Sequence, residues 1–169
     1  THLDHVRDVM FLADNIFYLK KERPLIIFGT PYIIETLKRC FFNGVVWPDF
    51  SAIPDMENPV LKFVALSPGE KVSLSDFDIT AIEVNHTVET VGYVVQGKEE
   101  AAIFVGDTGP TEEIWRIARK TSGLKAIFVE TSLPNAMKEI AGITGHLTPL
   151  LLEEELNKLG GIPVTIYLY

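Results

Sequence analysis

The stretch Ala101-Ala102-Ile103-Phe104-Val105-Gly106-Asp107-Thr108-Gly109-Pro110 breaks from an apolar run directly onto a carboxylate bracketed by glycines. A short apolar run bounded by turn residues is consistent with a buried strand. A carboxylate at that point can lie at the C-terminal edge of the strand, where open α/β layers build their sites. An aspartate that merely forms the turn fits the same letters.

Working outward from this strand, 101–106, the N-terminal side carries short β-branched segments at 60–66, 71–74, 77–84 and 92–97. Pro68-Gly69 and Gly97-Lys98 mark turns between them. On the C-terminal side, Thr111 is expected to cap a helix to about 121, with Ile114, Trp115, Ile117 and Ala118 facing inward. Leu124–Val129 reads as a buried strand, 134–141 and 147–159 as helices, and Ile162–Tyr169 as a last strand. The first third reads differently. Val6, Val9, Met10, Ala13, Ile16 and Phe17 recur at helical spacing and predict a helix over 5–21. Leu25–Phe28 is a short strand, and Thr30-Pro31 opens a helix that runs to Asn43-Gly44. The proline-bearing segment 45–59 is expected to be a surface loop with Trp47 and Phe50 tucked down. The pattern is that of a mixed α/β chain without internal repeat or linker.

Composition sets the bounds. The chain has 169 residues, 47% of them hydrophobic and 22% charged, which suits one globular domain. A formal charge of −8 argues against a broad grip on nucleic acid, which needs a basic face. One cysteine, Cys40, excludes a disulfide framework or a cysteine-rich zinc module; it is expected as a small buried hydrophobe on the helix 31–43. No apolar run reaches the ~20 residues that span a bilayer, so no membrane partner is expected and the chain reads as cytoplasmic.

Four histidines stand at the junctions of these elements, each among Asp, Thr or Gly. His2-Leu3-Asp4-His5 enters the first helix, where nitrogen and carboxylate ligands at such spacing can converge on metal. Alternatively Asp4 caps the helix and the imidazoles are solvated. His86 follows the strand 77–84 in Asn85-His86-Thr87, which is equally a polar turn. His146 enters the helix 147–159 in Gly145-His146-Leu147-Thr148-Pro149. Glu130 ends the strand 124–129 and can orient an imidazole.

Taken in order, these segments resemble the metallo-β-lactamase superfamily, whose signature is H-x-H-x-D-H, a distant His, a bridging Asp and a final His. His2, Asp4 and His5 match the end of the first motif, His86 the distant His and Asp107 the bridge. The first His of the motif would stand just before Thr1, and the final one just past Tyr169. The chain is therefore expected to be the interior of a larger domain, 1–169 being incomplete at both ends. The resemblance implies an αββα fold, with two mixed sheets between helix layers. Gly106-Asp107-Thr108-Gly109-Pro110, Glu130-Thr131-Ser132 and Gly145-His146-Leu147-Thr148-Pro149 narrow it to the class II 3′,5′-cyclic-nucleotide phosphodiesterases.

That resemblance implies two divalent ions (zinc, manganese or iron) held by His2, Asp4, His5, His86 and Asp107. Such ions lie about 3.5–4 Å apart and share a bridging hydroxide. It further implies that the hydroxide attacks a small phosphodiester, cyclic AMP or its like, while His146, oriented by Glu130, protonates the leaving oxygen. Asp4 then serves both metal and catalysis. Thr148 or the helix start behind it can hold a phosphate oxygen, unless it simply caps. The rival within the superfamily is the tRNA 3′-processing endonuclease, ribonuclease Z, which carries a basic arm between the distant His and the bridging Asp. Here twenty residues, 87–106, fill that gap as an apparent hairpin, so RNA is not the expected partner. A non-catalytic metal- or nucleotide-binding member is the remaining alternative. Phe41, Phe42, Trp47 and Phe50 can be core, a homodimer contact or a surface on which a base stacks. Glu153-Glu154-Glu155 reads as a solvated helix face.

Overall fold

The computed structural model describes residues 2–19 and 23–169. They form two compact units, 1–67 and 68–169.

In the first unit, α1 (Leu3–Tyr18) is followed by β1 (Leu25–Gly29), α2 (Pro31–Cys40) and β2 (Leu61–Ala65), with β1 and β2 paired in parallel from Leu25↔Leu61 to Gly29↔Ala65. The helix expected over 5–21 begins two residues earlier, and the end expected for it at 20–21 lies outside the described residues. α2 starts as the sequence predicts: Thr30 takes the Ile33 N–H on its hydroxyl, and Pro31 occupies the first turn, where a missing N–H costs nothing. It stops at Cys40 rather than 43. Asn43 instead donates to Arg39 O at 2.9 Å and accepts from the N–H groups of Val45 and Val46, a local turn that competes with further helix. Cys40 is consequently exposed at the helix end, not a buried hydrophobe. Met10, Ala13, Phe42, Phe50, Val60 and Leu61 form the core of this unit, with Phe41, Trp47 and Phe63 packed against it. The aromatic group is thus core, and the 45–59 segment is a loop, as expected.

The second unit is one six-stranded sheet in the order β3-β4-β5-β6-β7-β8. β3 (Lys71–Leu74), β4 (Phe77–Glu83), β5 (Val91–Gln96) and β6 (Ala101–Phe104) run antiparallel to their neighbours, whereas β6, β7 (Leu124–Val129) and β8 (Thr165–Leu168) are parallel. The switch follows the connections: turns at 75–76 and 97–100 and the loop 84–90 join the antiparallel strands, and helices cross between the parallel ones. α3 (Glu113–Ala118) links β6 to β7. A 3₁₀ turn (Asn135–Met137), α4 (Lys138–Thr144) and α5 (Pro149–Asn157) link β7 to β8. Alternation sends Ile103, Val105, Ile127 and Val129 into a core shared with Ile114, Trp115, Leu147 and Leu151. Burying each large side chain there stabilises the fold by about 1.5–3 kcal/mol. The next residues in register, Phe104, Phe128 and Tyr167, stack in a row with ring centroids 4.7 and 4.8 Å apart.

Two expectations fail here for one reason. Glu155 does not join Glu153 and Glu154 on a solvated face; it is 3% exposed and accepts from Trp115 Nε1 at 2.7 Å, Thr111 N–H at 2.9 Å and Lys158 Nζ at 2.7 Å. Thr111 does not cap α3 either. Its N–H is given to Glu155 and its carbonyl accepts from Lys158 Nζ, so its backbone is tied to α5 instead. Among the described residues, no helix is long and apolar enough to cross a membrane.

Candidate active site at one edge of the six-stranded sheet

Because β4 is separated from β6 by one antiparallel strand, β4, β6, β7 and β8 all point the same way, and their C-terminal ends share one edge. His86 lies three residues past β4, Asp107 three past β6 and Glu130 one past β7. His146 joins them from the link between α4 and α5. All four were expected from sequence, and the fold brings them together.

Their geometry is specific. His86 Nδ1 lies 2.9 Å from the Gly145 carbonyl. A carbonyl only accepts, so Nδ1 carries a proton, and Nε2, the ring's other nitrogen, lies 3.9 Å from Asp107 Oδ2. Glu130 Oε2 accepts from His146 Nδ1 at 3.0 Å, which leaves Nε2 of that ring as the atom to exchange a proton. The two imidazoles meet edge to face, centroids 5.0 Å apart. Side-chain exposure rises from 2% at His86 and 8% at Asp107 to 11% at Glu130 and 22% at His146. The deep pair is shielded like ligands; the outermost ring is the one a reacting molecule can meet.

Gly145 makes this packing possible. It ends α4 in the left-handed region (φ +67°), and a Cβ there would come within 3.0 Å of both Cα and Nδ1 of His86. His146 N–H then closes on Ala141 O at 2.9 Å, fixing the turn that presents the ring.

The donor set suits a divalent cation. Asp107, Glu130 and His146 each offer a ligand atom within 4.8 Å of the others. His86 Nε2 beside the Asp107 carboxylate adds nitrogen and oxygen atoms of the kind that ligate a divalent cation. In the first unit, His2 stands at the N-cap of α1 without a side-chain cap bond, and Asp4 sits in the first turn, its Oδ2 3.5 Å from His5 Nε2. Asp4 is therefore not the cap. Thr148 is wholly buried and accepts from Leu151 N–H at 3.4 Å, the capping role that the sequence left open.

Tyr169 was missed from sequence. It continues β8 along β7, with its N–H on Val129 O and its carbonyl accepting from Thr131 N–H. Loss of water around its hydroxyl raises the phenol pKa even though the residue as a whole is exposed, and the carboxylates of Asp107 and Glu130 push it the same way. An aromatic one residue past an edge strand whose neighbour, β7, leads into Glu130 was the available signal.

The family model described as cAMP phosphodiesterases class-II matches residues 1–166. The 3′,5′-cyclic-nucleotide phosphodiesterase 1 of Saccharomyces cerevisiae is 27% identical over 182 residues, covering 94% of this chain and 48% of that protein. The chain thus spans about half the length of this relative. The crystal structure of unliganded yeast PDE1 superposes with a TM-score of 0.87 at 24% identity, covering 99% of this chain and 54% of that one. The metallo-β-lactamase fold protein YhfI from Bacillus subtilis gives a TM-score of 0.73 at 15% identity, covering 99% and 61%. The fold is therefore that of the metallo-β-lactamases, and the chain belongs to the class II cAMP phosphodiesterase family.

Proposed function

We propose that this chain carries the catalytic centre of a metal-dependent phosphodiesterase that opens 3′,5′-cyclic nucleotides, with His146 as the general acid. The observation that carries this reading is the Glu130–His146 pair at 3.0 Å, set beside the buried side chains of His86 and Asp107. Family membership supports the substrate class. A model running through both units supports reading residues 1–169 as part of one catalytic domain.

Two divalent ions, with zinc suited to these ligands and manganese or iron as alternatives, would supply Lewis acidity and a water of lowered pKa. His86 and Asp107 are the proposed ligands in the second unit, and His2, Asp4 and His5 those in the first. The chain's own part in the reaction follows from its hydrogen bonds. As water oxygen adds to phosphorus and the bond to the 3′-oxygen breaks, that alkoxide needs a proton. Glu130 holds His146 with Nδ1–H committed to the carboxylate, so the protonated ring delivers its other proton from Nε2. Glu130 also offsets the positive charge that the ring bears before transfer. The twenty residues between His86 and Asp107 contain the β5–β6 hairpin and no arm, and with a net charge of −8 this disfavours a tRNA substrate.

The test uses the full-length protein. His146→Ala should retain bound metal and lose about 10²–10⁴-fold in kcat on cyclic AMP, the range for a lost general acid. Hydrolysis at the parent rate would remove His146 from that role. Cleavage of precursor tRNA with no action on cyclic AMP would overturn the substrate class.

A further inference from the structure

We propose that Thr108 is a positioning residue whose buried hydroxyl sets the spacing between His86 and Asp107, and through it the affinity of that pair for metal; this rests on the metal reading above. β4 and β6 are not neighbours in the sheet, since β5 lies between them. Sheet hydrogen bonds therefore do not directly fix the loop that carries His86 against the loop that carries Asp107. A separate clamp does. Thr108 Oγ1 accepts from Asn85 N–H at 3.1 Å and donates to the Gly109 carbonyl at 2.8 Å. Gly109 N–H returns to Asn85 O at 2.6 Å, and Asn85 Nδ2 donates to Pro110 O at 3.0 Å.

Asn85 immediately precedes His86, and Thr108 immediately follows Asp107. The clamp therefore joins the two backbones one residue from each proposed ligand. Thr108 is 1% exposed, so its bonds form out of competition with solvent, and their loss leaves polar backbone groups without compensation. Gly92, at the start of β5, lets the strands close up beneath the clamp: a Cβ there would meet the carbonyls of Phe104 and Val105 at 2.8 Å. A clamp that only stabilised the fold would change stability and leave metal affinity alone. One that positions ligands changes affinity in proportion to lost geometry.

The experiment measures zinc affinity of the full-length protein by competition with a chelator, alongside its unfolding midpoint. Thr108→Val keeps the volume and deletes both hydroxyl bonds; zinc binding is expected to weaken about 10–100-fold, as for other groups that orient ligands. Thr108→Ser restores the hydroxyl and should restore affinity. Trp115→Phe, which loses the bond to Glu155, should lower the midpoint and leave zinc affinity at the parent value. Thr108→Val binding zinc as tightly as the parent overturns the proposal. So does Trp115→Phe weakening zinc as much for the same loss of stability. Should Thr108→Val fail to fold, the exposed Asn85→Ala removes only the bond to Pro110 and is expected to weaken zinc by a smaller factor; unchanged affinity there counts against the clamp. Should the parent itself take up none of zinc, manganese or iron, the metal reading falls, and crystals of parent and Thr108→Val decide the clamp. A His86–Asp107 separation still at 3.9 Å in the variant overturns it, and a displaced pair sustains it.

Discussion

Glu155 is 3% exposed on α5 and accepts from an indole, a backbone N–H and a lysine, whereas Glu130, 9% exposed at the end of β7, accepts among the described residues from the single imidazole of His146. Both are buried carboxylates of the same unit. In the first, every donor comes from α3, its approach or the C-cap of α5, so the charge is spent on joining elements. In the second, the partner is a titratable ring on a turn, and Asp107 lies near as a further ligand-type group. A carboxylate saturated by fixed donors holds structure. One bonded to a group that gains and loses a proton is arranged for chemistry.

The contrast breaks most sharply at Glu155. Glu155→Ala leaves Trp115 Nε1 and the Thr111 N–H without their acceptor, while Lys158 keeps Thr111 O and the exposed Glu112, and each buried donor so stranded costs about 1–3 kcal/mol. Urea unfolding should show that loss, while turnover per folded molecule stays near the parent value. A loss under about 1 kcal/mol, the range of surface pairs, would mean that Glu155 is not the strut described here.

Glu130→Gln supplies the complementary test. The amide keeps the shape and an acceptor for His146 Nδ1–H, but not the charge that supports a protonated ring. We expect about a 10–100-fold drop in kcat, the scale on which supporting partners act, with the unfolding midpoint little moved. If stability falls as far as for Glu155→Ala and turnover does not, the two glutamates have exchanged the roles assigned to them.

These two residues also mark what sequence could tell. His86, Asp107, Glu130 and His146 were legible because each interrupts a periodic segment with a polar residue at its end, and strand ends are where α/β layers gather side chains. The strands and the caps Thr30 and Thr148 were legible from period and from the following proline. Glu155 was not, because a run of three glutamates suggests solvent. Yet Leu151, Leu152 and Glu155 share one buried face of α5, and that spacing held the missed signal. Thr111 looked like a cap because its pull toward α5 depends on a residue 44 positions away. Cys40 was misplaced for a local reason, the Asn43 turn that ends α2 early.

The smallest effect concerns the pH range over which the strut holds. Burial works to lower the Lys158 pKa, but the Glu112 and Glu155 carboxylates outweigh it and hold the amine above its ordinary value of 10.5. A base whose pKa is higher folded than unfolded adds stability that is complete below the unfolded value and fades as pH climbs through the folded one. The contribution of Lys158 should therefore be constant through neutral pH and fall away only on the alkaline side of 10.5. Comparing urea midpoints of the parent and Lys158→Met across that range isolates it, since the variant cannot titrate at this position. The gap between them should be flat and then narrow. Because Glu112 is 81% exposed, its pair with Lys158 adds little, about 0.2–1 kcal/mol, and the narrowing should largely vanish when Glu155 is also replaced by Ala. Narrowing that survives that replacement would move the source of the charge coupling from the buried glutamate to the solvent-exposed one, and with it the distinction between a saturated structural carboxylate and the one that serves His146.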